Sequence, residues 1–253
     1  MITIRDVYDF LDSIAPFSTQ MDFDNSGLLI GDERRAVQKV AVCLDITGDT
    51  VADAMDCGAD LMVTHHPVIF KPRRRLLPRD PAYQLVCAGI GAICCHTPLD
   101  MASGGVNDVL AGLFSLTKVE AVSTESLPVP MLRVGFLPAT MRAIELAATA
   151  AEQLSAKVRW CDGGRTVETL AVCGGSGGDL VADVAALGID ALVTGDAGYH
   201  DFLDAEQLGV TLVAAGHFET ESPVVPVLAK KLREQFPQIE VVTLAQKHSI
   251  KTM

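Results

Sequence analysis

Near the N-terminus, apolar residues return every three or four positions, at Val7, Phe10, Leu11 and Ile14, the spacing of an amphipathic helix. Thr3 and Asp6 stand at its start with the spacing of a capping box. Further along, the rhythm changes to short unbroken apolar runs separated by alanine-rich stretches. Runs at residues 39–44 and 169–173, runs ending at Thr64 and Thr194, and runs at 89–95 and 209–215 predict strands, with helices between them. Residues 131–137 read as a further strand, 139–154 as an alanine-rich helix, and 157–160 as a short strand closing at the turn Asp162-Gly163-Gly164. The last amphipathic stretch, 224–236, is introduced by Ser222 and Pro223, a helix start that puts Glu221 at the mouth of a helix.

Part of this pattern occurs twice. Ala41-Val42-Cys43 returns as Ala171-Val172-Cys173, and over residues 41–64 and 171–194 twelve of 24 positions are identical at a constant offset of 130. Agreement of that kind marks two copies of one strand, helix, strand unit. Alternating strands and helices predict an α/β fold: two related α/β domains with mainly parallel sheets, right-handed crossovers and a metal site between them. The segment 123–130, rich in Ser, Pro and Glu, is the expected boundary. The first unit then spans residues 1–125, and the second 126–253, whose stretch from about 205 onward returns to the metal site.

Composition narrows the class. A chain of 253 residues, 49% hydrophobic and 21% charged, can bury a substantial core. Its apolar runs are too short to span a bilayer, and the N-terminus reads as a helix of the fold, not as a signal peptide. The net charge of −12 argues against nucleic-acid or membrane binding through a bulk positive field. Seven cysteines form no CxxC pair and sit mostly in apolar runs, which fits a reduced cytoplasmic protein. One local exception to the acidic balance is the cluster Lys71, Arg73, Arg74, Arg75 and Arg79, either a solvated loop or a contact for an anionic substrate.

Candidate chemistry gathers at the strand ends. His65 and His66 close one apolar run, His217 follows another with Glu221 four residues on, and His96 precedes Asp100 by the same interval. Five of the six histidines fall at or just after strand ends; His248 alone lies outside. Adjacent strand residues point to opposite sides, so His65 and His66 suit two neighbouring ions better than one. Asp100 is a further ligand candidate, and Pro98 predicts a loop over residues 96–100 that lets the carboxylate fold back. His96 is either a ligand or a group that orients one. In the second copy the His65-His66 positions are Gly195-Asp196, leaving His217 and Glu221 as its ligands. Tyr199-His200-Asp201 is open to a proton-transfer role or to a helix-capping one. Imidazole and carboxylate suit Zn, Fe, Mn, Co or Ni alike.

Several motifs taken together, Asp24-Asn25-Ser26-Gly27-Leu28-Leu29-Ile30-Gly31, Thr64-His65-His66-Pro67, Pro98-Leu99-Asp100 with Gly105-Val106-Asn107-Asp108, Gly174-Gly175-Ser176-Gly177, Thr194-Gly195-Asp196 and Gly216-His217 with Glu221, carry a resemblance over the whole chain. The sequence resembles the NIF-three-like dinuclear-metal-centre family, commonly named GTP cyclohydrolase I type 2 homologs. The resemblance implies two metal ions per chain, His65, Asp100 and Glu221 at one and His66, His217 and Glu221 at the other, with Glu221 as the bridge. It also implies a homohexameric ring. Phe23 departs from the family, which often has Trp before the Asp-Asn pair.

Two adjacent divalent ions make hydrolysis the natural reaction class. The activity implied by the resemblance is ring-opening hydrolysis of GTP with formate release, on a small-molecule substrate with a nucleotide as the candidate. In that reading His96 or His200 moves the proton, and Lys71, Arg73 and Arg74 contact the anionic end. A dinuclear phosphoesterase and a non-catalytic metal-binding ring are the alternatives. Gly174-Gly175-Ser176-Gly177 lacks the Lys of a P-loop, and reads either as a tight turn or as a backbone cradle for phosphate.

Overall fold

Thr3 caps the first helix in the computed structural model, which describes residues 1–246. Its amide donates to Asp6 Oδ2 at 2.8 Å, while the Asp6 amide donates to Thr3 Oγ1 at 3.3 Å, so two amides at the helix start are satisfied reciprocally. The elements run from α1 (Ile4–Ile14) through β1 (Gly27–Ile30), β2 (Lys39–Cys43), α2 (Gly48–Asp56), β3 (Leu61–Thr64), α3 (Pro81–Ala88) and β4 (Gly91–Cys94) to α4 (Thr97–Met101). Then come α5 (Val106–Leu113), β5 (Thr117–Val122), β6 (Leu132–Met141), α6 (Ala143–Gln153), β7 (Arg159–Cys161) and β8 (Val167–Ser176). The chain continues with α7 (Val181–Ala186), β9 (Ala191–Asp196), α8 (Tyr199–Leu208), β10 (Thr211–Ala214), α9 (His217–Glu221), α10 (Val224–Gln235) and β11 (Glu240–Thr243). His248 and the rest of the segment after Gln246 lie outside the described residues.

The chain divides after Ser103 and again before Val224, not within residues 123–130. Pairing explains the difference. β11 joins β2 in parallel register, Val241 opposite Val40, which draws the C-terminal segment into the first unit. β5, placed in the first unit by the sequence boundary, pairs with β6 in the second.

The first unit holds a five-stranded sheet in the order β1-β4-β3-β2-β11. β4, β3, β2 and β11 are parallel, and β1 closes one edge antiparallel to β4. β3 and β4 are buried at every position, as strands covered on both faces must be. One core layer is built from Ala41, Cys43 and Met62 of the sheet against Val51 and Ala54 of α2 and Ala82 and Leu85 of α3.

The second unit holds a six-stranded sheet in the order β5-β6-β8-β9-β10-β7. Only β8, β9 and β10 run parallel; β5, β6 and β7 pair antiparallel. The expectation of a mainly parallel sheet therefore fails here, because β5 and β6 return directly along one edge without a helical crossover. Alternation along the strands splits the core. Leu170, Val172, Val193 and Val213 pack with Leu110 of α5 and Leu146 of α6, while Ala171, Cys173, Leu192 and Leu212 pack with Val181 of α7 and Ala205 of α8.

Two carboxylates perform matching work in the two units. Asp60 Oδ2 accepts from the amides of Gln38 and Lys39 at 2.8 and 3.1 Å, and Arg35 approaches its other oxygen at 3.6 Å. Asp190 Oδ2 accepts from the amides of Glu168 and Thr169 at 3.1 and 2.9 Å, with Arg165 at 3.3 Å from its other oxygen. All four residues of the second set lie 130 positions after their counterparts. Each Asp, at the end of the connection that leads into the next strand, is tied to the start of the strand before it.

Other elements depart from the sequence reading. β6 runs on through Pro138 to Met141, so α6 starts at Ala143 and not at 139. Residues 97–101 form the short helix α4, not a loop, because Pro98 sits in the first turn, where its missing N–H costs no hydrogen bond. Glu221 ends the short helix α9, which the sequence reading lacks, and still stands at the mouth of α10, which opens at Val224 after Ser222 and Pro223. No helix among the described residues is long and apolar enough to cross a membrane.

Candidate metal centre

In the first unit the carboxyl ends of β2, β3 and β4, side by side in the sheet, deliver Asp45, the His65-His66 pair and His96. Such strand ends are where parallel α/β sheets place ligands. β3 stops at Thr64, and a bend follows. The Thr64 hydroxyl donates to the His66 carbonyl at 2.9 Å, and the His66 amide donates to Leu44 O at 2.9 Å. The strict alternation of a strand no longer holds there, and the His65 and His66 ring centroids lie 4.8 Å apart. One nitrogen from each of His65, His66 and His96 falls within 4.8 Å of the others.

Each ring is held by its Nδ1. That nitrogen of His65 donates to the Cys95 carbonyl at 3.0 Å, that of His66 to Asp45 Oδ1 at 2.6 Å, and that of His96 to Asp24 Oδ1 at 2.7 Å. Carbonyl and carboxylate oxygens only accept, so the Nδ1 proton is assigned in all three, and in the neutral ring the lone pair is left on Nε2. His65 is buried, and its Nε2 lies 3.5 Å from Oδ1 of the buried Asp100, which α4 carries one turn beyond His96.

Asp24 anchors this corner. Its second oxygen accepts from the amide and hydroxyl of Thr97 at 3.1 and 2.6 Å and from Ser26 Oγ at 2.9 Å. Burial alone would push its carboxyl up, but the hydrogen bonds from His96 and Thr97 and the charge of His96 hold it far below the usual carboxylate range. Cys94 and Cys95 behave as the apolar filler expected of them. Burial pushes both thiols up, and the Cys94 thiol donates to the His65 carbonyl at 2.9 Å.

The second unit repeats the device with other residues. α9 begins directly after β10 and places His217 and Glu221 one turn apart, with Nε2 3.3 Å from Glu221 Oε2. The His217 Nδ1 donates to Asp196 Oδ2 at 2.8 Å, and Asp196 ends the neighbouring β9. Glu221 is 4% exposed, so its carboxylate is strongly biased toward partners that carry positive charge.

Room for that carboxylate comes from β8. Gly175 sits at φ +66°, and a Cβ there would fall on Glu221 Oε1 and lie 3.2 Å from His217 Nε2. The amides of Gly174 and Gly175 are already spent, donating to Asn107 Oδ1 at 2.7 Å and Thr220 Oγ1 at 3.1 Å. The Gly174-Gly175-Ser176-Gly177 run is a tight passage from strand to helix, with Gly177 standing directly before the helical turn Gly178–Leu180, and two of its amides are committed within the protein and not to a phosphate. It ends a strand and leaves a hollow for Glu221.

His200 sits exposed in the first turn of α8 beside Tyr199, and belongs to none of these histidine and carboxylate groups among the described residues. Lys71, Arg73, Arg74 and Arg75 are exposed in the connection between β3 and α3, where Arg73 pairs with Asp80 at 3.4 Å. Asp45 was not singled out in the sequence, nor were the supporting parts of Asn107 and Thr220. Their roles depend on which strand ends become neighbours.

The chemistry of this donor set fits a divalent transition metal. Imidazoles with one nitrogen pinned by a carboxylate or carbonyl, and the other turned toward carboxylate oxygens, are the usual surroundings of such ions. Clusters of His, Asp and Glu consistent with metal binding are thus present in the chain.

The chain is 31% identical over 243 residues to a GTP cyclohydrolase 1 type 2 homolog of Clostridium perfringens, covering 92% of each sequence. It is 33% identical over 249 residues to one of Streptomyces coelicolor, covering 92% of this chain and 87% of that one. Its fold is similar to the crystal structure of Staphylococcus aureus protein SA1388, with a TM-score of 0.90 at 25% identity over 100% of this chain and 99% of that one. The family model for Duf34/NIF3 (NGG1p interacting factor 3) matches residues 2–249, and the chain belongs to that family.

Proposed function

We propose that the chain is a metal-dependent hydrolase holding two divalent ions, with His65, Asp100 and Glu221 as ligands of one and His66, His217 and Glu221 of the other. The observation that carries this reading is the orientation of the imidazoles. His65 and His217 each donate their Nδ1 proton to a fixed acceptor and turn Nε2 toward a carboxylate oxygen, at 3.5 and 3.3 Å. A nitrogen lone pair and a carboxylate oxygen at that separation repel unless a cation or a proton lies between them.

When bound, two such ions would supply a water acidified toward neutral pH and a clamp on the reacting atoms. The chain's own residues do the rest. Asp45, Asp196 and the Cys95 carbonyl fix the rings, and Gly175 leaves space for Glu221. His96, steadied by Asp24 beside His65 and His66, is placed to move a proton at its Nε2. His200 is the second proton-transfer candidate of the same reading, and Lys71, Arg73 and Arg74 are its anion contacts.

The reading also takes the two units as copies of one strand, helix, strand unit. The matching work of Asp60 and Asp190 supports it. The second copy carries Gly195-Asp196 where the first has His65-His66, so Asp196 orients a ligand instead of being one. A homohexamer is the assembly proposed with it, to be checked by light scattering.

Relatives named GTP cyclohydrolase 1 type 2 homolog support a specific reaction, hydrolysis at C8 of the GTP base with release of formate. The test is formate release from GTP by the chain reloaded separately with Zn, Mn and Fe(II), with Glu221→Ala alongside. Metal-dependent release that the variant loses is expected. No release by protein shown to hold both ions would overturn the GTP reaction.

A further inference from the structure

Two large rings stand in solvent beside the histidine cluster. Phe23 is 59% and Phe70 42% exposed, and their centroids lie 6.3 Å apart with the planes at 62°. Phe70 meets His96 edge-on, at 6.0 Å and 85°. His96 in turn lies 5.3 Å from His65 and 5.5 Å from His66. A row of rings therefore leads from water to the candidate metal ligands.

The row is held in place by polar contacts. Asn25 Nδ2 donates to the Ile69 carbonyl at 2.5 Å, which ties the segment carrying Phe70 to the one carrying Phe23. Asp24, between Phe23 and Asn25, holds His96. Rings exposed by chance on a surface need no such fastening, and leaving them there forfeits the free energy of burying them.

Charge adds a second, independent observation. Lys71, Arg73, Arg74 and Arg75 follow Phe70 directly and are exposed, in a chain whose net charge is −12. Arg73 is paired with Asp80. Lys71, Arg74 and Arg75 show no acidic partner among the described residues and carry their charge into solvent. A local positive patch on an acidic protein draws anions to that spot.

We propose that Phe23 and Phe70 form a stacking platform for the flat ring of an anionic ligand, a nucleotide, whose phosphates are met by Lys71, Arg74 and Arg75. Aromatic side chains stack on any base through its π face, so the platform selects a ring and not a particular base. The ring is presented next to His96, the residue placed for proton transfer. This inference rests on the hydrolase reading of the same site and names the residues that would hold the ring of its substrate.

Calorimetric titration of the metal-loaded full chain with GTP, ATP, guanosine and inorganic triphosphate tests it, with metal content measured for every variant. GTP should bind more tightly than inorganic triphosphate. Phe70→Ala should weaken GTP and ATP by about tenfold, the scale of one lost base-stacking contact, and leave triphosphate binding unchanged. Phe70→Trp should restore binding, Phe23→Ala should act in the same direction as Phe70→Ala, and Arg74→Gln with Arg75→Gln should weaken triphosphate while sparing guanosine. Unchanged GTP affinity in both alanine variants with metal retained would overturn the platform, as would wild-type protein that binds GTP no better than triphosphate. Binding is read without turnover. Phe70-dependent GTP binding without formate release would refute the reaction and leave the platform standing; formate release with binding indifferent to both rings would do the reverse.

Discussion

His66 donates its Nδ1 proton to Oδ1 of Asp45 at 2.6 Å, across the ends of two adjacent parallel strands. The bond fixes which nitrogen of His66 carries the proton and leaves the other for the ion of the proposed centre. Gln246 donates to the second oxygen of Asp45, so the carboxylate is itself held. Asp45→Ala should lower metal affinity by about 10- to 100-fold, the usual loss when a ligand's orienting partner is removed. Competition with a calibrated chelator measures this, and an affinity equal to that of the native chain would contradict the role given to Asp45.

Gly175 makes a different contribution, by what it lacks. At φ +66° an L side chain is strained by about 1–2 kcal/mol, and the added methyl would collide with Glu221 and approach His217. Gly175→Ala should therefore lower both the melting temperature and the number of ions retained. A variant with native metal content would show that the hollow is not needed for the carboxylate.

The guanidinium of Arg133 is 3% exposed and donates to Asp108, and to the Pro130 carbonyl at 2.7 Å. Arg133→Ala leaves the Asp108 carboxylate without its cation and should cost about 1–3 kcal/mol in denaturant unfolding, less than a fully buried pair because Asp108 is 30% exposed. Arg133→Met combined with Asp108→Asn should recover part of the loss. A cost below about 1 kcal/mol for the single change would place the pair among the weak surface bridges.

Acid stability gives a test far from the metal ligands. Burial raises the Asp190 carboxyl, but the amides of Thr169 and Glu168, the Thr169 hydroxyl and Arg165 outweigh it and bring the group below its ordinary value. A carboxylate depressed in the folded state stabilises the fold above its unfolded pKa, near 4, and loses that contribution as pH falls through the folded value. Asp190→Ala should thus be less stable than the native chain by about 2–3 kcal/mol at pH 7. That gap should close progressively below about pH 4. A gap independent of pH would mean that the charge of Asp190 contributes nothing.

Much of this was legible in the sequence where a signal is local. Thr3 and Asp6 announce the first cap, and the apolar runs before His65 and Thr194 announce strands because buried strands have little choice of residue. The histidines and carboxylates at strand ends could be picked out by type alone. What escaped depends on neighbours distant in sequence. Nothing near residue 240 says that β11 will extend the first sheet beside β2, and so the division of the chain was misplaced. Asp45 looks like any loop aspartate until β2 and β3 lie side by side. Pro98 suggests a loop on propensity, yet it suits the first turn of a helix equally well. Phe70 carries no local signal of its place, and only the fold shows it in solvent beside His96.

If the chain binds two divalent ions through histidine and carboxylate ligands, with Glu221 shared, its metal content must follow those side chains. Elemental analysis of the purified, reconstituted chain measures this, with His66→Ala, Asp100→Ala and Glu221→Ala prepared alongside and their folding checked by circular dichroism. Close to two ions per native chain are expected, about one in His66→Ala and in Asp100→Ala, and fewer than one in Glu221→Ala. Native occupancy in all three variants, or a correctly folded native chain that retains no metal, would contradict it.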